Sequence, residues 1–234
     1  SKIRTTGIGE SKLAEILEPL ISRWNSPSVS FLPTLEGVDI VLRITETDKN
    51  TAEKRLKEAE GGIIKRIKRW VYTIGEEDLI DVVSRLLREK GITVAVAESC
   101  TGGSISSILT DISGSSAYFD CGVVSYSNDA KIDILGVSED MIKKYGAVSS
   151  QVAIAMAEGI RRIAGTDIGL STTGIFGPTG ATTTKPVGLV FIGYSDKKGS
   201  ISKKYMFGTV RKRNKIKTTQ EALNLLRKNI IKNF

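Results

Sequence analysis

From about residue 76 to the end of the 234-residue chain, runs apolar on both sides alternate with amphipathic stretches, and this alternation admits few architectures. "EEDLIDVVSRLLREKG" puts Leu79, Val82, Val83, Leu86 and Leu87 on one helical face, with Gly91 as its stop. "ITVAVA" follows as a continuous apolar strand, then "TGGSISSILTDI" as a helix and "CGVVSYS" as a strand. A helix from about Asn128, another through "SSQVAIAMAEGIRRIAG", the strands "DIGLSTTG", "VGLVFIGYS" and "ISKKYMF", and a last helix "QEALNLLRKNIIKNF" complete the series. Strands without a polar face must be covered on both sides, so the predicted class is α/β, a three-layer α/β/α sandwich. Ligands of such sheets sit at the loops leaving the carboxyl ends of strands.

Residues 1–75 read differently. "ESKLAEILEPLISRW" places Leu13, Ile16, Leu17, Leu20 and Ile21 on one stripe, with Pro19 expected to bend or interrupt it. Two strand-like runs, "SVSFLP" and "VDIVLRIT", precede a helix over about 51–68 and a short strand around "WVYTIG". The expectation is a small α+β domain of order α-β-β-α-β, joined near residue 75 to the α/β domain at 76–234.

Composition narrows the chemistry. The chain has no histidine, so neither a Ser-His-Asp triad nor a histidine metal site can be built. Cys100 and Cys121 form no C-x-x-C pair and are expected to be reduced, half-buried thiols. No apolar run approaches the roughly 20 residues that span a bilayer, and no signal-peptide pattern opens the chain, so a cytoplasmic protein is expected. The net charge is +8, and between Ile201 and Phe234 ten Lys or Arg face a single acid, Glu221. Such a segment suits anionic ligands, whether nucleic acid or phosphorylated small molecules.

Three loops carry candidate chemistry. "AESCTGG" (97–103) leads from a strand into a helix, and its glycines with Ser99 and Thr101 suggest an anion cradle, although the Lys-Ser/Thr of a P-loop is missing. In "GSSAYFDCGVVSYSNDAK" (114–131), Ser116 follows a glycine at an irregular turn, and Lys131 lies one turn into a helix capped by "SND", near Tyr126. A serine can be activated by a neutral lysine whose pKa is lowered by desolvation. The same residues also read as an ordinary turn, helix surface and strand edge. "TTGIFGPTGATTTKPVG" (172–188) is glycine-rich and full of hydroxyls, and backbone amides at Gly174 to Gly177 would form an oxyanion nest or simply a mobile surface loop.

Taken in order, "AESCTGG", "GSSAYF" with "YSNDAK", "GAVS" and "TTGIFGPTG" with "KPVG" resemble the CinA C-terminal family of nicotinamide mononucleotide amidases over residues 76–234. Residues 1–75 resemble the KH-type domain that precedes this module in longer CinA proteins, without a G-x-x-G loop. The resemblance implies hydrolysis of the nicotinamide carboxamide to nicotinic acid mononucleotide and ammonia, in pyridine nucleotide salvage, with no metal or cofactor. It implies Ser116 as nucleophile, Lys131 as base and Tyr126 as their partner, with Ser99, Cys100, Thr101, Gly102, Thr173 and Gly174 around the ligand. The family's F-x-G-D-R stretch reads "FGTVRKR" here, which puts Arg211 beside substrate with Arg213 as competitor. A homodimer is expected by resemblance. The chain starts at Ser1 and reads as a fragment lacking the family's molybdopterin-binding-like domain, so no pyrophosphatase activity is expected of it. The rivals are a catalytically silent scaffold and a nucleic-acid-binding module. Aromatics at 6% give the latter little stacking surface, so nucleic acid is not expected as a partner, nor is a membrane.

Overall fold

The computed structural model describes residues 1–234, which divide into two compact units, Ser1–Leu79 and Ile80–Phe234.

The first unit runs β1 (Lys2–Thr5), α1 (Glu10–Ile21), β2 (Ser28–Pro33), β3 (Val38–Arg43), α2 (Lys49–Ile67) and β4 (Val71–Ile74). Its antiparallel sheet has the order β2-β3-β1-β4, a split βαβ arrangement. The sequence pattern had no place for β1, because four residues carrying two cations give no apolar run, yet this strand sits inside the sheet. Ile3, Ile40 and Leu42 of the sheet meet Leu13 and Leu17 of α1 and Ile63 and Ile67 of α2 in one core. Pro19 does not break α1: it stands in the last turn, where the helix is about to end.

The second unit continues with α3 (Leu79–Lys90), β5 (Val94–Glu98), α4 (Ser104–Thr110), β6 (Phe119–Val124), α5 (Asn128–Asp133), α6 (Glu139–Tyr145), α7 (Ser150–Ala164), β7 (Ile168–Gly174), β8 (Leu189–Asp196), β9 (Gly199–Met206) and α8 (Arg211–Asn233). The sheet order is β6-β5-β7-β8-β9, with β6, β5 and β7 parallel and β8 and β9 antiparallel. The sheet is therefore mixed, and its parallel half aligns three strand ends on one edge of the sheet. Ala95 and Ala97 of β5 pack with Leu135, Val152, Met156 and Ile160 on one face. Helix α7 lies so close to that face that a Cβ on Gly169 would stand 2.0 Å from the carbonyl of Ala157, and one on Gly193 2.2 Å from that of Ala153. Only glycine fits there. No helix is long and apolar enough to cross a membrane.

Candidate active site

The carboxyl ends of β5, β6 and β7 converge on a cavity of about 200 Å³. Ser99 and Cys100 enter it from the end of β5, Tyr126 from the loop after β6, Asn128 and Lys131 from α5, and Thr173, Gly174 and Phe176 from the end of β7. Ala147 and Val148 before α7, and Arg211 at the start of α8, close it.

Lys131 is held by local folding. The Ser127 hydroxyl caps α5 by accepting the Ala130 N–H at 3.0 Å, and the short helix turns the lysine inward until it is 2% exposed. Its Nζ lies 3.1 Å from Ser99 Oγ and within 2.8–3.3 Å of the carbonyls of Ser125, Tyr126 and Ser127. Burial holds its pKa below the ordinary lysine value, and the Cys100 side chain opposes that only in part. Cys100 is itself buried, which pushes its thiol up to about 12, so it stays protonated near neutrality.

Ser99 stands where a tightly organised turn leaves β5. Its N–H donates to Thr172 O at 3.0 Å, and Gly102 N–H donates back to Ser99 O at 3.2 Å. Beneath it, the Glu98 carboxylate accepts from the N–H groups of Gly103, Ile105 and Ser106 and from the Ser106 hydroxyl, at 2.8–3.2 Å. Glu98 is fully buried. The start of α4 is thus filled by the protein's own carboxylate, and the anion cradle expected of "AESCTGG" is not available to an outside phosphate.

Ser116 is not brought to Lys131. It is exposed in a single 3-10 turn, Ser115–Ala117, just before β6. Phe119 pairs with Val94, the first residue of β5, whereas Ser99 follows Glu98, the last. Five residues of strand, at about 3.3 Å each, put Ser116 at the opposite edge of the sheet from the cavity. The hydroxyl facing Lys131 belongs to Ser99, and the nucleophile assigned to Ser116 on resemblance is corrected accordingly. The signal for Ser99 was present: a serine in a sharp turn between a buried strand and a helix.

The other expected residues divide. Tyr126 is in the cavity wall, but its hydroxyl, on a side chain 63% exposed, accepts from Arg211 Nη2 at 3.0 Å and does not reach Ser99 or Lys131. Thr173 lines the cavity with its hydroxyl donated to Ala147 O at 2.8 Å. Thr101 lies below the surface, bonded to Thr172 at 2.7 Å, and Gly102 is exposed outside the lining. Gly174 packs so that an added Cβ would stand 2.8–3.2 Å from Val190, Leu189 and Cys100. The nest expected at 174–177 loses its Ile175 N–H to Leu189 O, and Gly177 O is taken by Arg211 Nη1 at 3.1 Å. Of the two arginine candidates, Arg211 is the one in the lining. Asn128, Phe176, Ala147 and Val148 were missed, since none carries a reactive group.

A larger concavity of about 680 Å³ lies at the other end of the sheet, around Glu158, Arg161, Arg162 and the β8–β9 turn. Its arginines are committed to carbonyls, Arg161 to those of Asp167 and Asp196 and Arg162 to that of Leu135. No group of His, Cys, Asp and Glu is placed to hold a metal ion.

Comparison with known proteins agrees with this division of the chain. The CinA C-terminal domain matches residues 76–230, and the damage-inducible protein CinA KH domain matches residues 1–73. A CinA-like protein of Syntrophus aciditrophicus is 42% identical over 96% of this chain, and one of Dictyoglomus turgidum 42% identical over 98%. These alignments cover 54% and 56% of the relatives, so the chain spans about half the length of the curated relatives it matches. The crystal structure of the competence/damage inducible protein CihA from Agrobacterium tumefaciens superposes with a TM-score of 0.61 at 37% identity, over 66% of this chain and 97% of that one. That of the competence damage-inducible protein A from Klebsiella pneumoniae gives 0.65 at 29%, over 67% and 97%. The chain belongs to the CinA family, with a KH domain followed by a CinA C-terminal domain.

Proposed function

We propose that the C-terminal domain is a serine amidohydrolase that removes the carboxamide nitrogen of nicotinamide mononucleotide, with Ser99 as nucleophile and Lys131 as base. The observation that carries this reading is the buried Lys131 amine at 3.1 Å from the Ser99 hydroxyl, at the wall of a cavity. A lysine whose charge is disfavoured by burial gives up its proton more readily than a solvated lysine, which suits it to act as a base.

The Ser99 proton passes to Lys131, the freed oxygen attacks the carboxamide carbon, and the carbonyl oxygen becomes an oxyanion. With the amides of Ser99, Gly102 and Gly103 already engaged, the N–H groups of Cys100 and Thr101 are the donors next to it. Lys131 then delivers its proton to the departing nitrogen, and ammonia leaves an acyl-Ser99. Water, deprotonated by Lys131, releases the acid, and the lysine returns a proton to Ser99. Arg211, fixed on the Tyr126 hydroxyl and Gly177 O, offers its charge to the nucleotide's phosphate at the mouth.

The test is ammonia release from nicotinamide mononucleotide in the presence of a chelator, with product identified as nicotinic acid mononucleotide. The parent is expected to turn over, and Lys131→Ala to lose about 10³-fold or more in kcat. A folded parent that leaves the nucleotide intact would contradict the proposal and return the scaffold reading.

A further inference from the structure

Two residues of α5 line the cavity, Asn128 and Lys131, and the two between them, Asp129 and Ala130, do not. Positions i and i+3 of a helix lie on one face, so the Asn128 side chain shares the face that carries the lysine. The lysine also folds back over that turn. Its Nζ lies 3.2 Å from the carbonyl oxygen of Ser127, whose carbon is bonded to the Asn128 nitrogen. Asn128 is thus the polar side chain that flanks Lys131 on its own helix.

The Asn128 amide differs from the rest of the polar lining in having no partner inside the protein. Tyr126 and Arg211 bond each other, Thr173 donates to Ala147 O, Cys100 pairs with Thr172, and Ser99 pairs with Lys131. Asn128 is exposed at the cavity with its two N–H donors and its carbonyl acceptor uncommitted.

A primary carboxamide presents one carbonyl oxygen and two N–H donors. With its carbon at Ser99 Oγ and its oxygen at the N–H groups of Cys100 and Thr101, its nitrogen turns to Lys131, which must protonate it. In the tetrahedral intermediate that nitrogen has two N–H groups and one lone pair, and only the lone pair can take the lysine proton. The N–H groups therefore need acceptors beside Lys131. The side chain there with no other bond to keep is Asn128.

We infer that Asn128 is a substrate-binding residue for the NH₂ of a primary carboxamide, its Oδ1 accepting one N–H and so turning the nitrogen lone pair toward Lys131. The inference rests on the amidase reading and adds to it the means by which the site tells a carboxamide from a group of the same shape without N–H donors. Asn128 exchanges no proton: the N–H it accepts stays on the nitrogen and leaves as part of ammonia.

The experiment is equilibrium binding to Ser99→Ala in the full chain, which keeps the cavity and cannot form the acyl-enzyme. The probes are nicotinamide mononucleotide and its methyl ketone analogue, 3-acetylpyridine mononucleotide, in which CH₃ replaces NH₂ and the carbonyl is kept. Ser99→Ala is expected to bind the carboxamide about tenfold more tightly than the ketone. Adding Asn128→Ala, which removes no bond within the protein, is expected to abolish that preference by weakening the carboxamide alone, with ketone binding unchanged within about twofold. Absence of the preference in Ser99→Ala, its survival in the double variant, or equal loss for both probes overturns the inference, as does failure of Ser99→Ala to bind either probe. Ammonia release by the chain with Ser99 intact reports separately on the amidase reading. A chain that binds the nucleotide and leaves it intact removes that reading, while the binding comparison still decides the carboxamide contact.

Discussion

Lys131 has a hydroxyl and three backbone carbonyls around its amine and no carboxylate among its hydrogen-bond partners. Desolvation therefore dominates, and its pKa is lowered in the folded state. The unfolded chain then binds more protons than the native one between the depressed value and the ordinary lysine value of about 10.4, so this residue costs stability at neutral pH and the cost fades as pH rises through that window. Lys131→Met is expected to melt above the parent at pH 7, with the difference narrowing toward pH 10; a difference independent of pH would contradict the assignment. The same depression sets the rate profile: kcat/KM is expected to rise with pH as Lys131 loses its proton and then level off, with a midpoint below the ordinary lysine value. Cys100, with its thiol pushed up to about 12, is a wall of the site and not a nucleophile. Cys100→Ser is expected to keep kcat within about threefold in the ammonia assay. Lys131 was legible from sequence because the "YSNDAK" spacing brings it back to a strand end; Ser99 carried a turn signal, but nothing in the sequence paired it with the lysine in preference to Ser116. Glycine-serine turns such as Gly114–Ser116 occur at either end of a strand, and one sequence does not say which end faces the cavity.

At the scale of elements, the turn from β5 into α4 is built on Glu98, whose two oxygens accept four hydrogen bonds from the start of the helix. Glu98→Gln would turn an amide NH₂ toward these donors. It is expected to destabilise the protein by about 2–4 kcal/mol in denaturant unfolding and to lower kcat by disturbing Ser99. An unchanged unfolding midpoint would show that the turn holds without the carboxylate. Helix α7 presses on the sheet through Gly169 and Gly193, and Gly169→Ala is expected to cost about 1–3 kcal/mol by forcing the two apart. The strands and helices of the second unit were readable because each buries a long periodic face. β1 was not, since a four-residue strand held by neighbours on both sides needs little apolar signal of its own. The switch from parallel to antiparallel at β8 was equally hidden, because burial of a strand on both faces says nothing about its direction.

The whole molecule carries a net charge of +8, with Arg211, Lys212 and Arg213 exposed in the first turn of α8 beside the cavity. Cations at a helix N-terminus oppose the helix dipole, so the position of Arg211 is a local cost consistent with binding an anion. Long-range attraction of an anionic nucleotide would make kcat/KM fall as ionic strength rises, with a shallower fall in Arg211→Ala. Each of the two units has its own core, and Ser99 and Lys131, the groups proposed to react, lie with Arg211 in the second. The most direct measurement is a side-by-side assay of Ser99→Ala and Ser116→Ala for ammonia release, with both shown to be folded. Loss of about 10⁴-fold or more in Ser99→Ala with near-parental turnover in Ser116→Ala is the result predicted here; an active Ser99→Ala, or a dead Ser116→Ala, would contradict the Ser99–Lys131 pair.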